Sequence, residues 1–245
     1  MNPTIELLKG HRSIRQFQNR PIQTDLFQDL IKAGQAAASS NFFQAVTIIR
    51  VTDPEKRAKL ASLANNQAYV ETAAEFLVFC ADMNRAASCC DLHGAEANTG
   101  FTEQFIIATV DAALVAQNIV VASESAGLGI CYIGALRNNP AEVSMVLGLP
   151  HDTYPVFGLC LGWPDQDPEV KPRLPIDVVL RENSYGIGED GLNLGNYDEA
   201  VRGYYATRSS NQKSMSWSEQ MSGMLSKEAR PHMLDFLKMK GFLQK

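Results

Sequence analysis

Residues 101–126 (FTEQFIIATVDAALVAQNIVVASESA) constrain the fold more than any other stretch. They form the longest helical pattern in the chain, apolar on several sides yet interrupted by Asp111, Gln117 and Glu124. Such a helix has to be covered by other elements or by a second subunit, since packing on one side alone leaves apolar surface in water. Its longest uncharged apolar stretch, 112–123, contains Gln117 and Asn118 and falls well short of the ~20 residues that cross a bilayer. A membrane span is therefore not expected. With 245 residues, 45% of them hydrophobic, the chain has enough material to build a continuous core around this helix.

Helical and strand patterns alternate around it. A short helix over 4–9 stops at Gly10, and Thr24 is placed to cap a second that runs through Leu26, Leu30 and Ile31. Strands are expected over 45–51, 75–81, 130–133 and 154–161, and helices over 54–63 and 140–147. Pro168, Pro172 and Pro175 exclude a helix from their stretch, and the Gly-rich residues 184–196 read as a surface loop. Three helical patterns close the chain. The expectation is an α+β fold, one domain over 1–245, in which 176–245 form a C-terminal helical extension.

A formal net charge of -5 argues against a basic sheath for nucleic acid, so any anion site must be local. The five cysteines are an odd number, and three lie in apolar runs, which suits reduced core residues. The first residues carry Glu6 inside their only apolar stretch and show no basic leader, so no export signal is expected. Together these features point to the cytoplasm.

The four histidines suggest no catalytic triad: His151 and His232 have no partner signature, and there is no G-x-S-x-G elbow. Cys89-Cys90-Asp91-Leu92-His93 reads as an exposed loop, because adjacent cysteines do not easily share one tetrahedral metal ion. Gly186-Ile187-Gly188-Glu189-Asp190-Gly191 has a dinucleotide-binding spacing, but no amphipathic helix is expected after it and its two acids repel a pyrophosphate.

Chemistry concentrates elsewhere. His11-Arg12-Ser13-Ile14-Arg15-Gln16-Phe17 gathers cations and a hydroxyl in a non-helical turn, equipment suited to a phosphate. Lys171-Pro172-Arg173 is a second basic segment, held extended by its prolines. Ser39, Ser40 and Asn41 add short polar groups, and Gln67 offers both donor and acceptor to a heterocycle.

Taken in order with Tyr132-Ile133-Gly134, Gly158-Leu159-Cys160-Leu161-Gly162-Trp163-Pro164, Tyr204-Tyr205-Ala206-Thr207-Arg208 and Lys227-Glu228-Ala229-Arg230-Pro231, these motifs resemble the oxygen-insensitive NADPH nitroreductases and NADPH-flavin oxidoreductases. The resemblance covers nearly the whole chain. It implies a nitroreductase-like fold with a central, mainly antiparallel sheet, and a homodimer holding one FMN per subunit at the interface. It implies FMN contacts at His11, Arg12, Ser13, Arg15, Ser39, Ser40, Gln67, Tyr132, Ile133, Gly134, Ala135, Lys171 and Arg173. Arg208, Lys213 and Arg230 are then expected to meet NADPH, and Asn41, Phe42 and Phe43 to face the substrate. No catalytic side chain is expected, because the flavin carries the redox chemistry.

The implied activity is two-electron, ping-pong reduction of nitro compounds, quinones or flavins. Two other readings stand beside it: a reductase that hands reduced FMN to a partner, and a non-catalytic flavin sensor.

Overall fold

The computed structural model describes residues 2–186, 190–208 and 212–245, and they form two compact units, 2–168 with 232–245 and 169–231. In the first unit, α1 (Pro3–Lys9) and α2 (Thr24–Gln35) precede β1 (Val46–Arg50), α3 (Pro54–Leu63) and α4 (Tyr69–Thr72). Then come β2 (Glu75–Asp82), α5 (Asn84–Leu92), α6 (Thr102–Ser125), β3 (Gly129–Ile133), α7 (Pro140–Leu147) and β4 (Thr153–Gly162). The second unit holds α8 (Ile176–Val179), α9 (Asp190–Thr207) and α10 (Trp217–Leu225), after which α11 (Met233–Met239) rejoins the first.

The sheet runs β1-β2-β4-β3 with every neighbouring pair antiparallel. β2 is buried along its whole length, which matches the apolar run 76–81 between Glu75 and Asp82. Phe76, Val78 and Cys80 point to a core completed by Leu60, Leu63 and Val143 from α3 and α7. Leu77 and Phe79 point to the opposite core, where Leu30 of α2 and Val115, Ile119 and Val120 of α6 cover the sheet.

α6 is 24 residues long and buries nine of them. It is long and apolar enough to cross a membrane by composition, but here that apolar surface covers the sheet. Gly127, at φ +79, ends it by letting the Leu128 N–H reach the Ser123 carbonyl at 2.9 Å. The chain's end straps its other terminus, with the Gln244 N–H 2.8 Å from the Gly100 carbonyl. At α3, Asp53 accepts from the Glu55 N–H at 2.8 Å with Pro54 following it, the arrangement that start signals of this kind favour.

Several local expectations need correction. α2 includes Thr24, and its N-cap is Gln23 with no side-chain hydrogen bond. Residues 190–196 are helical, as the first part of α9, because Tyr197, Val201 and Tyr205 further along that helix bury against Leu174 and Trp217. Cys89 and Cys90 lie on α5 and not in a loop. A helix, α9, does open at Asp190, inside the glycine spacing at 186–191, while Ile187, Gly188 and Glu189 fall outside the described residues.

Phe76 is fully buried at the centre of the sheet. Phe76→Ala is expected to destabilise the protein by about 3–5 kcal/mol through lost transfer energy and a cavity, read as a lowered urea midpoint.

Candidate functional site

The loop after α1 is held against the sheet by backbone pairing. Ser13 bridges Ile130 in parallel, and the Ile14 N–H donates to the Ile130 carbonyl at 2.8 Å. Ile14 is buried over Gly129, where a Cβ would fall 2.6 Å from its side chain, so only glycine allows this approach. Further on, the Gln18 N–H donates to the Trp163 carbonyl at 2.9 Å, and the Arg15 N–H to Gln166 Oε1 at 2.9 Å. The basic residues of 11–15 therefore sit on a rigid turn.

His11 Nδ1 lies 2.6 Å from the Glu124 carboxylate near the end of α6, with both groups largely shielded. Arg12 pairs with Asp167 at 2.7 Å, but that carboxylate is 84% exposed and holds the guanidinium only weakly. Both Arg12 and Glu124 line a cavity of about 510 Å³ whose floor is Ile14 and Gly129. The Arg15 side chain approaches Tyr69 and Cys131. Burial pushes the Tyr69 phenol up, Cys131 adds to this, and Arg15 opposes it. Two residues before Tyr69, the Gln67 Oε1 atom is buried and accepts no hydrogen bond among the described residues.

β3 delivers Tyr132, Ile133 and Gly134 to the same region. Tyr132 packs edge-on against Phe157 with centroids 5.1 Å apart, and its hydroxyl donates to Gln117 Oε1 at 3.3 Å. Gly134 opens a 3-10 turn that includes Ala135 and runs to Asn138.

The Ser39–Phe43 segment is fixed by a different part of α6. Asp111, 1% exposed, accepts from Ser39 Oγ at 2.6 Å, from the Ser40 N–H at 3.3 Å and from the Ala45 N–H at 2.9 Å. Between these anchors Asn41, Phe42 and Gln44 all have positive φ, and Phe42 stands 79% exposed. Thirteen residues separate Asp111 from Glu124, or about 20 Å along the helix at its usual rise. Within one chain, then, Ser39, Ser40, Asn41, Phe42 and Phe43 are held well away from His11.

In the second unit, cations gather on one aromatic ring. Lys171 Nζ and Lys213 Nζ lie 5.4 and 5.5 Å from the Tyr205 centroid, and Arg208 lies 5.4 Å from Tyr204 and 5.9 Å from Tyr205. Burial is the largest single influence on the Tyr205 phenol and pushes it up, but Lys171, Lys213 and Arg208 together hold it below its usual value. Arg173 is exposed and donates to the Lys171 carbonyl at 3.3 Å, and Tyr197 ties the same segment through the Pro172 carbonyl at 3.0 Å. Arg230 lies at the unit's other end with φ +53.

Sequence reading missed Glu124, Tyr69 and Tyr205 as neighbours of the predicted residues and did not see the reach of Asp111. The available signal was the pair of acids interrupting an apolar helix, since a carboxylate is buried only where donors await it. His151 and His232 do have partners: Asp152 at 3.3 Å and the Arg137 carbonyl at 3.1 Å.

A helix-covered antiparallel sheet, a pinned basic turn and a buried amide oxygen that accepts no hydrogen bond among the described residues define an α+β protein with a local, positively charged site. The chain belongs to the nitroreductase family, which matches residues 8–163, with that family's C-terminal domain matching 171–245. It is 50% identical to the NADPH-flavin oxidoreductase of Vibrio harveyi over the full length of both chains. It is 45% identical to the oxygen-insensitive NADPH nitroreductase of Salmonella typhimurium over 99% of each. A solved structure of the Vibrio harveyi NADPH:FMN oxidoreductase in complex with NAD+ superposes over all of both chains with a TM-score of 0.91 at 47% identity.

Burial, with Glu124 adding to it, pushes the Tyr132 phenol up to about 12. Burial also pushes Tyr154 up to about 12, against Thr109 and Arg137. Because an unfolded tyrosine ionises near ~10, these protonated phenols favour the fold fully below that pH, and the contribution is lost as pH rises toward the folded values. The urea midpoint is therefore expected to fall between about pH 10 and 12, and less steeply in Tyr132→Phe and Tyr154→Phe; an unchanged slope in both variants contradicts this.

Proposed function

We propose that this chain is an FMN-dependent oxidoreductase that draws reducing equivalents from NADPH and delivers them to nitro compounds, quinones or flavins, as a cytoplasmic homodimer. The observation that carries this reading is Gln67 Oε1, a buried acceptor without a donor among the described residues, two residues from the Tyr69 that neighbours Arg15. A planar imide N–H is what such an atom lacks. Bound FMN supplies the two-electron chemistry, taking hydride from a nicotinamide and yielding electrons to an oxidant.

The protein's part is to bind, orient and compensate charge. Arg12 exchanges its exposed partner Asp167 for a phosphate, assisted by the Ser13 hydroxyl. Glu124 keeps His11 fixed at the edge of the same cavity. Arg15 offers positive charge beside Tyr69 and Gln67, where reduction of a flavin places negative charge. Tyr132, Ile133, Gly134 and Ala135 let the backbone pass close to a flat ring. In the second unit, Lys171 and Arg173 supply charge to a phosphate, and Arg208, Lys213 and Arg230 to the additional phosphate of NADPH.

The distance between the two anchoring acids supports a homodimer. A symmetric pairing lets the Ser39–Phe43 segment of one protomer approach the His11–Arg15 turn of the other, which a single chain does not achieve. The stripe of Ile106, Val110 and Leu114, exposed along α6, supplies an apolar face for that pairing. A relative at 50% identity named as a flavin oxidoreductase, above the nitroreductase at 45%, favours free flavin as one acceptor.

Purified protein is expected to be yellow, to bleach with NADPH under argon and to regain colour with a nitroaromatic. Colourless protein that ignores added FMN overturns the reading, and yellow protein that neither nicotinamide bleaches is a sensor. Steady-state rates with free FMN, nitrofurazone and a quinone rank the acceptors. Arg208→Ala is expected to raise the Michaelis constant for NADPH far more than that for NADH; equal changes remove Arg208 from phosphate recognition.

A further inference from the structure

Cys131 and Cys160 face each other in register on the antiparallel pair β3 and β4. Directly opposed residues of such a pair project to the same side of the sheet, and both thiols lie in the core beneath α3 and α7. Opposed Cα atoms in antiparallel strands are ~4.5 or ~5.5 Å apart depending on the type of pair. Either spacing lies within the ~4.4–6.8 Å that a disulfide bridges. Both cysteines are free thiols in this structure.

Both are buried, and each has a cation within electrostatic reach. Arg57 comes within electrostatic reach of Cys160, and its Nε and Nη2 atoms are buried with no hydrogen-bond partner among the described residues. Two buried guanidinium donors without an acceptor are costly, and a sulfur anion is the acceptor nearest in kind. Arg15 stands in the same relation to Cys131, and Tyr69 is within reach of both thiols.

We infer that Cys131 and Cys160 form a redox-active dithiol, which a small uncharged peroxide converts to a disulfide between β3 and β4. The Cys131 thiolate attacks one peroxide oxygen, the O–O bond breaks, and the departing hydroxide takes a proton to become water, leaving a sulfenic acid. The Cys160 thiolate then attacks the Cys131 sulfur; the S–S bond forms, the S–O bond breaks, and a second water leaves. Two thiols are oxidised and one peroxide is reduced to two waters. An external dithiol reverses the bond by exchange.

Burial pushes both thiols up, Cys160 further through Cys131, while Arg15 and Arg57 oppose the shift. The reaction is therefore slow at neutral pH and accelerates as pH rises, with Tyr69, itself pushed up by burial, still protonated.

The test uses the full chain as purified, with Cys89→Ser and Cys90→Ser to remove the two cysteines that are not buried. After treatment with hydrogen peroxide, and separately with diamide, the mass should fall by two hydrogens. Digestion should link the peptide carrying Cys131 to the one carrying Cys160, and dithiothreitol should undo the link. Adding Cys131→Val should abolish it, and Arg57→Met should slow its formation several-fold. Full alkylation of both cysteines after oxidation and unfolding, a link that involves Cys80, or sulfinic acid without a link overturns the proposal. The readout is mass and involves no flavin, so its failure is separate from failure of the oxidoreductase reading.

Discussion

Asp111 is almost completely buried in the middle of an apolar helix, and a carboxylate in that position is tolerated only if donors converge on it. Three do: the hydroxyl of Ser39 and the backbone N–H groups of Ser40 and Ala45. Among the described residues no ion pair reaches it, so the loop between helix α2 and strand β1 is the acid's counterpart, and the acid is the loop's anchor. That loop carries three residues at positive φ, a conformation that costs energy in any side chain other than glycine and persists only where its ends are held. The strained segment and the buried charge stabilise each other.

The same helix provides a second anchor at Glu124, which holds His11, while backbone pairing of Ser13 and Ile14 with β3 fixes the rest of the basic turn. A long helix is a rigid ruler, so these two attachments set the spacing between the two polar loops. Phe42 at the loop tip and the apolar stripe on the outer side of α6 stand exposed. The placement of both polar loops thus depends on the same element that covers the sheet.

The second unit solves a different electrostatic problem. Lys171, Lys213 and Arg208 would repel one another in the open, yet they gather around the buried Tyr205, whose ring face attracts cations and whose phenol is shifted toward the anion by them. The ring face compensates their charge only in part.

Read from sequence, the periodicities placed all four strands and the long helix within a residue or two, since each buries a face whose spacing is written directly in the chain. The basic segments 11–15 and 171–173 were legible as non-helical, because Gly10 stops the helix before the first and Pro172 and Pro175 punctuate the second. Residues 190–196 were not legible as helix, for their glycines disfavour it locally and only the burial of Tyr197, Val201 and Tyr205 in the second unit overrides that preference. Nor could any local pattern reveal that Asp111 reaches Ser39, that Glu124 reaches His11, or that Cys131 lies opposite Cys160. Those are meetings of residues far apart in the chain, made by strand register and helix packing. The sequence by itself determined which segments would be helix, strand and cation-bearing turn, because those depend on neighbours along the chain. Tertiary structure alone decided which acid would hold which loop and which thiols would face each other, because these depend on the long-range order of the sheet.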